Sequence, residues 1–237
     1  MCRFLYLRLD MPDEDVAGLL RCLEKNRSIY SIKIWSCRFE VAAATALGEI
    51  VANNRTLCGL SLDATNADDQ EYSIDVQQQL RYVCSVLADS ILGNPSLLRL
   101  KVRLCYRNWA TDFRIMEALR RNKARANRAV RFVRGSMKRI DALAFDVLEH
   151  SGSIVLALCG WWHTDLMDRV VEEEKAALAS VAEARRRLNC NYFIITGVVK
   201  TKISCRPSPT GRRTFEKLGE NLRARICSFL RVADVHE

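Results

Sequence analysis

Proline and glycine are scarce in this chain. Four prolines and ten glycines occur among 237 residues, and the charged residues recur within apolar stretches. This composition excludes a collagen-like pattern and is not that of a disordered segment. The 49% hydrophobic content is sufficient for a packed core. We therefore expect a folded, largely helical protein of one large or two modest domains.

Long apolar runs are also missing. A membrane-spanning helix needs roughly 20 apolar residues, and the best candidate, Ile154 to Trp162, has about half of that length. The segment Met1 to Asp10 carries arginines and no continuous apolar core, so it is not a secretory signal. We expect a cytoplasmic protein that does not engage a membrane. Its ten cysteines are then reduced core residues rather than disulfides.

Residues that carry catalysis or bind metals are few. The chain has three histidines, no C-x-x-C, no G-x-S-x-G and no glycine-rich phosphate loop. Cys159 and His163 are four residues apart, which is more typical of a packed cysteine beside a surface histidine than of a metal site. The sequence therefore predicts a non-enzymatic protein with no catalytic residue, no metal, no cofactor and no small-molecule substrate.

An internal repeat organises the first half of the chain. The pattern N-x-x-[IL]-x-x-[IL]-x-[ILV] begins at Asn26, Asn54 and Asn94. Aliphatic residues stand three and seven positions before each of these asparagines and before a fourth, Asn122. The asparagines are spaced by 28, 40 and 28 residues, so the middle repeat carries a twelve-residue insertion, which we place in the acidic segment from Asp63 to Ser73.

The physical sense of the repeat is a strand followed by a helix, neither of which can bury its apolar face alone. Ile32 and Ile34 are predicted to point into the core. Stacked repeats then form a parallel sheet on a concave side and helices on a convex side. Each asparagine, near the end of a helix, can satisfy backbone groups in the turn that leads to the next strand.

Both ends of the repeat region depart from the pattern. At the start, the same period assigns Phe4 and Tyr6 to inward positions and leaves Leu5 and Leu7 out of register. No polar capping unit precedes this strand, so we expect a fragment or a late start of a longer repeat protein. At the other end, arginines replace the strand aliphatics after the fourth asparagine, and we assign the repeat region to residues 1–126.

The strand ends carry a further repeated position. Cys37 and Cys105 each stand three residues after the last aliphatic residue of a strand, and Thr65 occupies the equivalent position of the repeat between them. On these residues the chain resembles the ribonuclease-inhibitor type of leucine-rich repeat, L-x-x-L-x-L-x-x-[NC], over roughly residues 1 to 122, and is similar to the repeat region of NOD-like receptors. The resemblance implies an α/β solenoid that binds a protein partner through its concave face. Without a P-loop, it does not imply a receptor ATPase.

The second half, residues 127–237, is predicted to be a mainly α-helical domain. β-favouring residues from Tyr192 to Ile195 predict a strand or short hairpin. The segment from Ile226 to Val235 resembles the first helix of an F-box, which raises the alternative of a ubiquitin-ligase substrate adaptor. The predicted helices run from Val130 to Leu148, from Thr164 to Leu188 and from Thr214 to Leu230.

Partner-binding residues are predicted on the concave sheet, at strand positions between the buried aliphatics. These positions are Lys33, Trp35, Asp63, Lys101 and Arg103. A tryptophan beside cationic side chains is typical of an interface hot spot. An ordinary solvated strand face is the alternative interpretation.

A basic segment from Arg99 to Arg139 offers a second interpretation. It contains fourteen Lys or Arg, with Asp112 and Glu117 as its acids. Such a block indicates an anionic partner, either an acidic protein or nucleic acid, or else a solvated helix face. From the sequence we predict a protein-binding module, with nucleic-acid binding as the alternative.

Overall fold

A computed structural model describes residues 3–36, 39–64, 74–104, 107–108, 113–160, 170–198 and 220–235. The chain divides into two compact units. The first comprises Met1–Arg125 with His150–Ser153, and the second comprises Ala126–Glu149 with Ile154–Glu237. None of the helices in these described ranges combines the length and the hydropathy that crossing a bilayer requires.

The first unit alternates strands and helices around one sheet. The strands follow the order β1-β2-β3-β4-β5; the first four are parallel, and β5 is antiparallel to β4. The predicted α/β class is therefore confirmed. The elements are β1 (Phe4–Leu9), α1 (Asp13–Glu24), β2 (Ser31–Ser36), α2 (Val41–Asn53), β3 (Gly59–Ala64), α3 (Ile74–Ser90), β4 (Arg99–Leu104) and β5 (Arg107–Asn108), with a short 3-10 helix at Ile91–Gly93.

The core of this unit lies between the sheet and its helices. Alternate strand residues point inward because successive side chains of a strand project to opposite faces, and Ile34, Leu62 and Val102 share one buried register position. From the helices, Leu47 and Leu87 are fully buried in the same core. Burying one such side chain stabilises the fold by about 1.5–3 kcal/mol, so each strand depends on the helix that covers it.

The repeated asparagines form a hydrogen-bonded ladder. Asn54 Oδ1 accepts two backbone N–H groups of the turn that follows it, both at 2.9 Å, and its Nδ2 donates to the Asn26 carbonyl at 2.9 Å. Asn94 Nδ2 donates to the Asn54 carbonyl at 3.1 Å, and Asn122 Nδ2 donates to the Asn94 carbonyl at 2.8 Å. Asn54, Asn94 and Asn122 thus each join their own turn or helix to the preceding repeat, which explains why this residue recurs.

A carboxylate also joins neighbouring repeats. Asp13 Oδ1 accepts a hydrogen bond from the Glu40 N–H at 3.0 Å, and Oδ2 accepts one from the Ala42 N–H at 2.8 Å. These groups lie at the start of α2, whose first N–H groups have no partner within the helix. Asp13 therefore supplies the cap from α1, and its charge suits the positive end of the helix dipole.

The register predicted for the first strand is wrong. In β1, Leu5 and Leu7 lie in register with the buried isoleucines of β2 and pack against the core, whereas Tyr6 is 42% exposed. Phe4 and Tyr6 therefore occupy outward positions. Equivalent positions of β1 and β2 are 27 residues apart, whereas the prediction used the repeat length of 28. Because a shift of one residue exchanges the two faces of a strand, the side chains of β1 were assigned to the wrong face.

The end of the repeat region also differs from the prediction. Helix α4 is continuous from Phe113 to Val133, so Asn122 lies within it rather than at a helix end. The predicted single helix from Val130 to Leu148 is interrupted. Gly135, with a φ of 109°, ends α4, and its N–H bonds to the Phe132 carbonyl, as in a Schellman motif.

The second unit is helical over its described residues. The strand predicted from Tyr192 to Ile195 is wrong, because α7 continues to Ile195 and these two residues are 3% and 4% exposed on its buried side. Helical burial thus overrides β propensity. The segment from Ile226 to Val235 is not one helix, since α8 ends at Cys227. In addition to the last part of α4, the second unit contains the following elements: α5 (Arg139–Leu148), α6 (Gly152–Leu158, which begins in the first unit), α7 (Val170–Ile195), α8 (Glu220–Cys227) and a 3-10 turn at Val232–Asp234.

Two buried carboxylates on α5 organise this unit. Asp146 accepts hydrogen bonds from Arg185 at 3.0 Å, from Arg231 at 3.3 Å and from the Val232 N–H at 3.2 Å. A buried charge must be paired in this way, and the pairing joins α5, α7 and the C-terminal turn.

The second carboxylate, Asp141, has a different set of partners. It accepts hydrogen bonds from Arg131 at 2.8 Å and from Ser136 at 2.8 Å. Burial acts to raise the pKa of Asp141, but the hydrogen bonds and the charge of Arg131 lower it below its ordinary value. The ionised form is therefore favoured in the folded protein.

Candidate functional site

The sheet of the first unit has an outer face, made by the side chains that point away from the helices. Three positions on each of the four parallel strands form an array of aligned rows. The rows are Phe4, Ser31, Gly59 and Arg99; Tyr6, Lys33, Ser61 and Lys101; and Arg8, Trp35, Asp63 and Arg103. All five residues predicted as partner-binding lie on this face. That they bind a partner remains a prediction.

An aromatic pair lies at one end of the outer face. The rings of Tyr6 and Trp35 are stacked, with 5.8 Å between their centroids and 27° between their planes. Lys33 Nζ lies 4.2 Å from the centroid of the Trp35 ring, a cation–π contact. Large aromatic side chains on the outer side of a sheet add nothing to its core, so their packing there produces a rigid apolar surface next to solvent.

One acidic residue lies within the array. Asp63 is 8% exposed, and its Oδ2 lies 3.3 Å from Lys33 Nζ. Lys33 therefore contacts both a carboxylate and the Trp35 ring. These contacts restrict the lysine ammonium and hold the aromatic ring in one orientation.

Cationic residues dominate the opposite end of the outer face. All three outward positions of β4 are basic, namely Arg99, Lys101 and Arg103. Arg103 is exposed and has no hydrogen-bond or ion-pair partner among the described residues. Arg8, at the far end of the same row, is exposed as well. The outer face therefore carries its aromatic rings on β1 and β2, together with Arg8 and Lys33, whereas the outward residues of β4 are all basic.

Tyr6 and Arg8 belong to this face but are not predicted to do so from the sequence, because a fixed repeat length misaligns the first strand. The alternation of Leu5, Leu7 and Leu9 is the signal that identifies the correct register, since a half-buried strand has a period of two.

The basic segment beyond β4 is partly neutralised by local ion pairs. Arg114 pairs with Asp89 at 2.5 Å, and Arg120 pairs with Glu117 at 2.6 Å. In the second unit, Arg131 pairs with Asp141, as described above. The side chains of residues 104–112 lie outside the described part of the chain.

Two cysteines, Cys58 and Cys159, lack the features of reactive thiols. Burial raises the pKa of the Cys58 thiol, which a hydrogen bond with Ser151 only partly offsets. Burial and the nearby carboxylates of Glu173 and Glu174 raise the pKa of Cys159 to about 11. Both groups are therefore protonated at neutral pH, whereas a nucleophile or metal ligand must be a thiolate. His163, the partner suggested for Cys159, lies outside the described residues.

Within the described ranges, no group of three or more His, Cys, Asp or Glu side chains has the arrangement of a metal site. The outer face is thus the best-defined candidate site. No protein-family model matches the chain, and no curated protein sequence matches it either.

Proposed function

We propose that the first unit is a short leucine-rich-repeat solenoid of the ribonuclease-inhibitor type and that the chain is a non-enzymatic protein-binding module. The strand–helix repeats and the asparagine ladder at intervals of 28 and 40 residues support the fold assignment. In such a solenoid the outer face is the concave surface, which this architecture uses for binding.

One observation carries the proposed function: the stacked pair of Tyr6 and Trp35 on the outer face, with Lys33 over the Trp35 ring. Aromatic residues and arginines are enriched among the residues that dominate the binding energy of protein interfaces, and an aromatic ring buries a large area with few rotatable bonds. The pair is held by neighbouring strands, so little conformational entropy is lost when a partner covers it.

The experiment is a pull-down with the full chain and two matched double variants. The test variant combines Trp35→Ala with Arg103→Gln on the outer face. The control combines Tyr82→Ala on α3 with Lys25→Gln at the C-terminal end of α1, which also removes one aromatic ring and one cation. Each lysate is used with and without nuclease.

A partner protein retained by the wild type and the control but lost with the test variant, in both nuclease conditions, is the expected result. Equal retention by both variants contradicts binding through the outer face. Circular dichroism spectra of the three proteins must coincide, so that loss of binding is not loss of folding.

Nucleic-acid binding through the basic segment is the second candidate. Lys123 and Arg128 on α4 have no ion-pair partner among the described residues, which favours an anionic ligand there. Binding that nuclease abolishes and that falls steeply with salt is the result expected for this candidate. A role as substrate adaptor of a ubiquitin ligase rests on the resemblance of the C-terminal segment alone and stays a prediction.

A further inference from the structure

The composition of the outer face changes across the sheet from β1 to β4. Aromatic residues lie at the β1 and β2 end, small residues occupy its centre, and basic residues fill β4. The small central residues are Ser31, Gly59 and Ser61. A Cβ atom added at Gly59 would lie 2.9 Å from the Ser31 Oγ, so these two small residues are in close contact. Gly59 and Ser61 are thus small residues at two of the three outward positions of β3, and Asp63 occupies the third.

The dimensions of the array limit what can contact both ends. Neighbouring strands are about 4.8 Å apart, so β2 and β4 are separated by about 10 Å and β1 and β4 by about 14 Å. An extended chain advances about 3.3 Å per residue. A segment that crosses the strands therefore reaches from Trp35 to Arg103 in about three residues, and from Tyr6 to β4 in about four.

Charge complementarity selects an acidic partner. The twelve positions of the outer face hold five basic residues and one acid, Asp63. That acid already has Lys33 as its partner at 3.3 Å. A ligand carboxylate near β4 meets three basic side chains, whereas a ligand cation there meets like charge.

One feature favours a protein segment over single-stranded nucleic acid. A nucleic-acid strand carries a phosphate on every nucleotide, so a strand that crosses the sheet along the row Trp35, Asp63 and Arg103 brings negative charge near the Asp63 carboxylate. A peptide can place an uncharged residue at that point and its carboxylates at β4 alone.

We propose that the outer face binds an extended acidic segment of a partner protein, in which an aromatic or aliphatic anchor precedes or follows at least two carboxylates by three or four residues. The anchor packs against Tyr6 and Trp35, and the carboxylates contact the basic residues of β4. This inference rests on the proposed protein-binding function and specifies the chemistry of the partner.

The test begins with a display library of random ten-residue peptides selected on the immobilised full chain. Enriched peptides are synthesised with a fluorescein label and titrated by anisotropy. The proteins used are the wild type, Trp35→Ala, Arg103→Gln and the control Lys25→Gln. Each peptide is also made with Asn and Gln in place of Asp and Glu. Arg103→Gln is preferred to a glutamate because Asp63 lies opposite it on β3.

We expect enriched peptides to share an apolar residue three or four positions from two acids. Neutralising the acids should weaken binding by about tenfold or more, as should Arg103→Gln or Trp35→Ala, whereas Lys25→Gln should leave it unchanged. Peptides that lose binding with Trp35→Ala but are insensitive to their own charge overturn the acidic partner and leave the proposed function standing.

Other outcomes are equally decisive. A selection without enriched peptides, or peptides that ignore both outer-face variants, overturns the inference together with binding through this face. Fluorescein-labelled oligo-dT that binds the wild type more tightly than every enriched peptide, and that Arg103→Gln weakens, identifies nucleic acid as the occupant and overturns the protein segment.

Discussion

Replacing Asn94 with alanine tests the asparagine ladder most directly. The side chain is 1% exposed; its Oδ1 accepts the Ser96 and Leu97 N–H groups, and its Nδ2 donates to the Val51 and Asn54 carbonyls. Alanine removes four hydrogen bonds and leaves buried backbone groups unsatisfied. With about 0.5–1.5 kcal/mol for each bond, the free energy of unfolding should fall by about 3–5 kcal/mol.

Asn26→Ala is the matched control. Asn26 is only half-buried; it accepts hydrogen bonds from the Ser28 and Ile29 N–H groups, and its side chain has no other partner among the described residues. The same substitution there removes two bonds, which remain accessible to water. We expect a loss of about 1–2 kcal/mol.

Urea unfolding followed by far-UV circular dichroism measures the difference between the two variants. Because the chain has two units, the transitions are fitted separately, and comparable m values are required before the midpoints are compared. A midpoint for Asn94→Ala equal to or higher than that of Asn26→Ala would show that the contacts to the preceding repeat add nothing to the stability.

Substitutions at three further contacts are each measured by urea unfolding. Asp13→Ala removes the cap of α2 and should cost about 1 kcal/mol, with a smaller loss for Asp13→Asn, which keeps one acceptor oxygen. Gly48→Ala introduces a Cβ 2.7 Å from Val86 Cγ1 and should cost about 1–3 kcal/mol, whereas Gly18→Ala, with no atom within 4 Å, should stabilise α1 by up to about 1 kcal/mol; equal effects would contradict the packing. Asp141 has a lowered pKa in the folded state, so its contribution to stability is present above the ordinary pKa of about 4 and is lost as the pH falls. The stability difference between wild type and Asp141→Asn should therefore shrink between pH 5 and about pH 2, and a constant difference would argue against an ionised Asp141.

The repeat was accessible from sequence because its signals are local. An asparagine with aliphatic residues at fixed offsets specifies a turn between a helix and a buried strand, and the four asparagines do form one ladder. The alternation of Lys33 and Trp35 with buried isoleucines likewise predicts which side chains leave the core. Both inferences need only the helix and strand periodicities.

The errors arose where packing overrides local preference. The residues from Tyr192 to Ile195 favour strands, yet they extend α7 because helical spacing buries Tyr192 and Ile195. The break between α4 and α5 depends on the left-handed conformation of Gly135, which sequence periodicity alone does not reveal.

The repeat, its asparagines and the outward positions of β2, β3 and β4 can be predicted without the structure, because each follows from spacing along the chain. The residues that meet across strands cannot be predicted in this way, because they depend on tertiary packing. The stacking of Tyr6 on Trp35 and the pairing of Lys33 with Asp63 join residues about one repeat apart. Their distances depend on the register between strands, and that register is fixed by packing against the helices rather than by either strand alone.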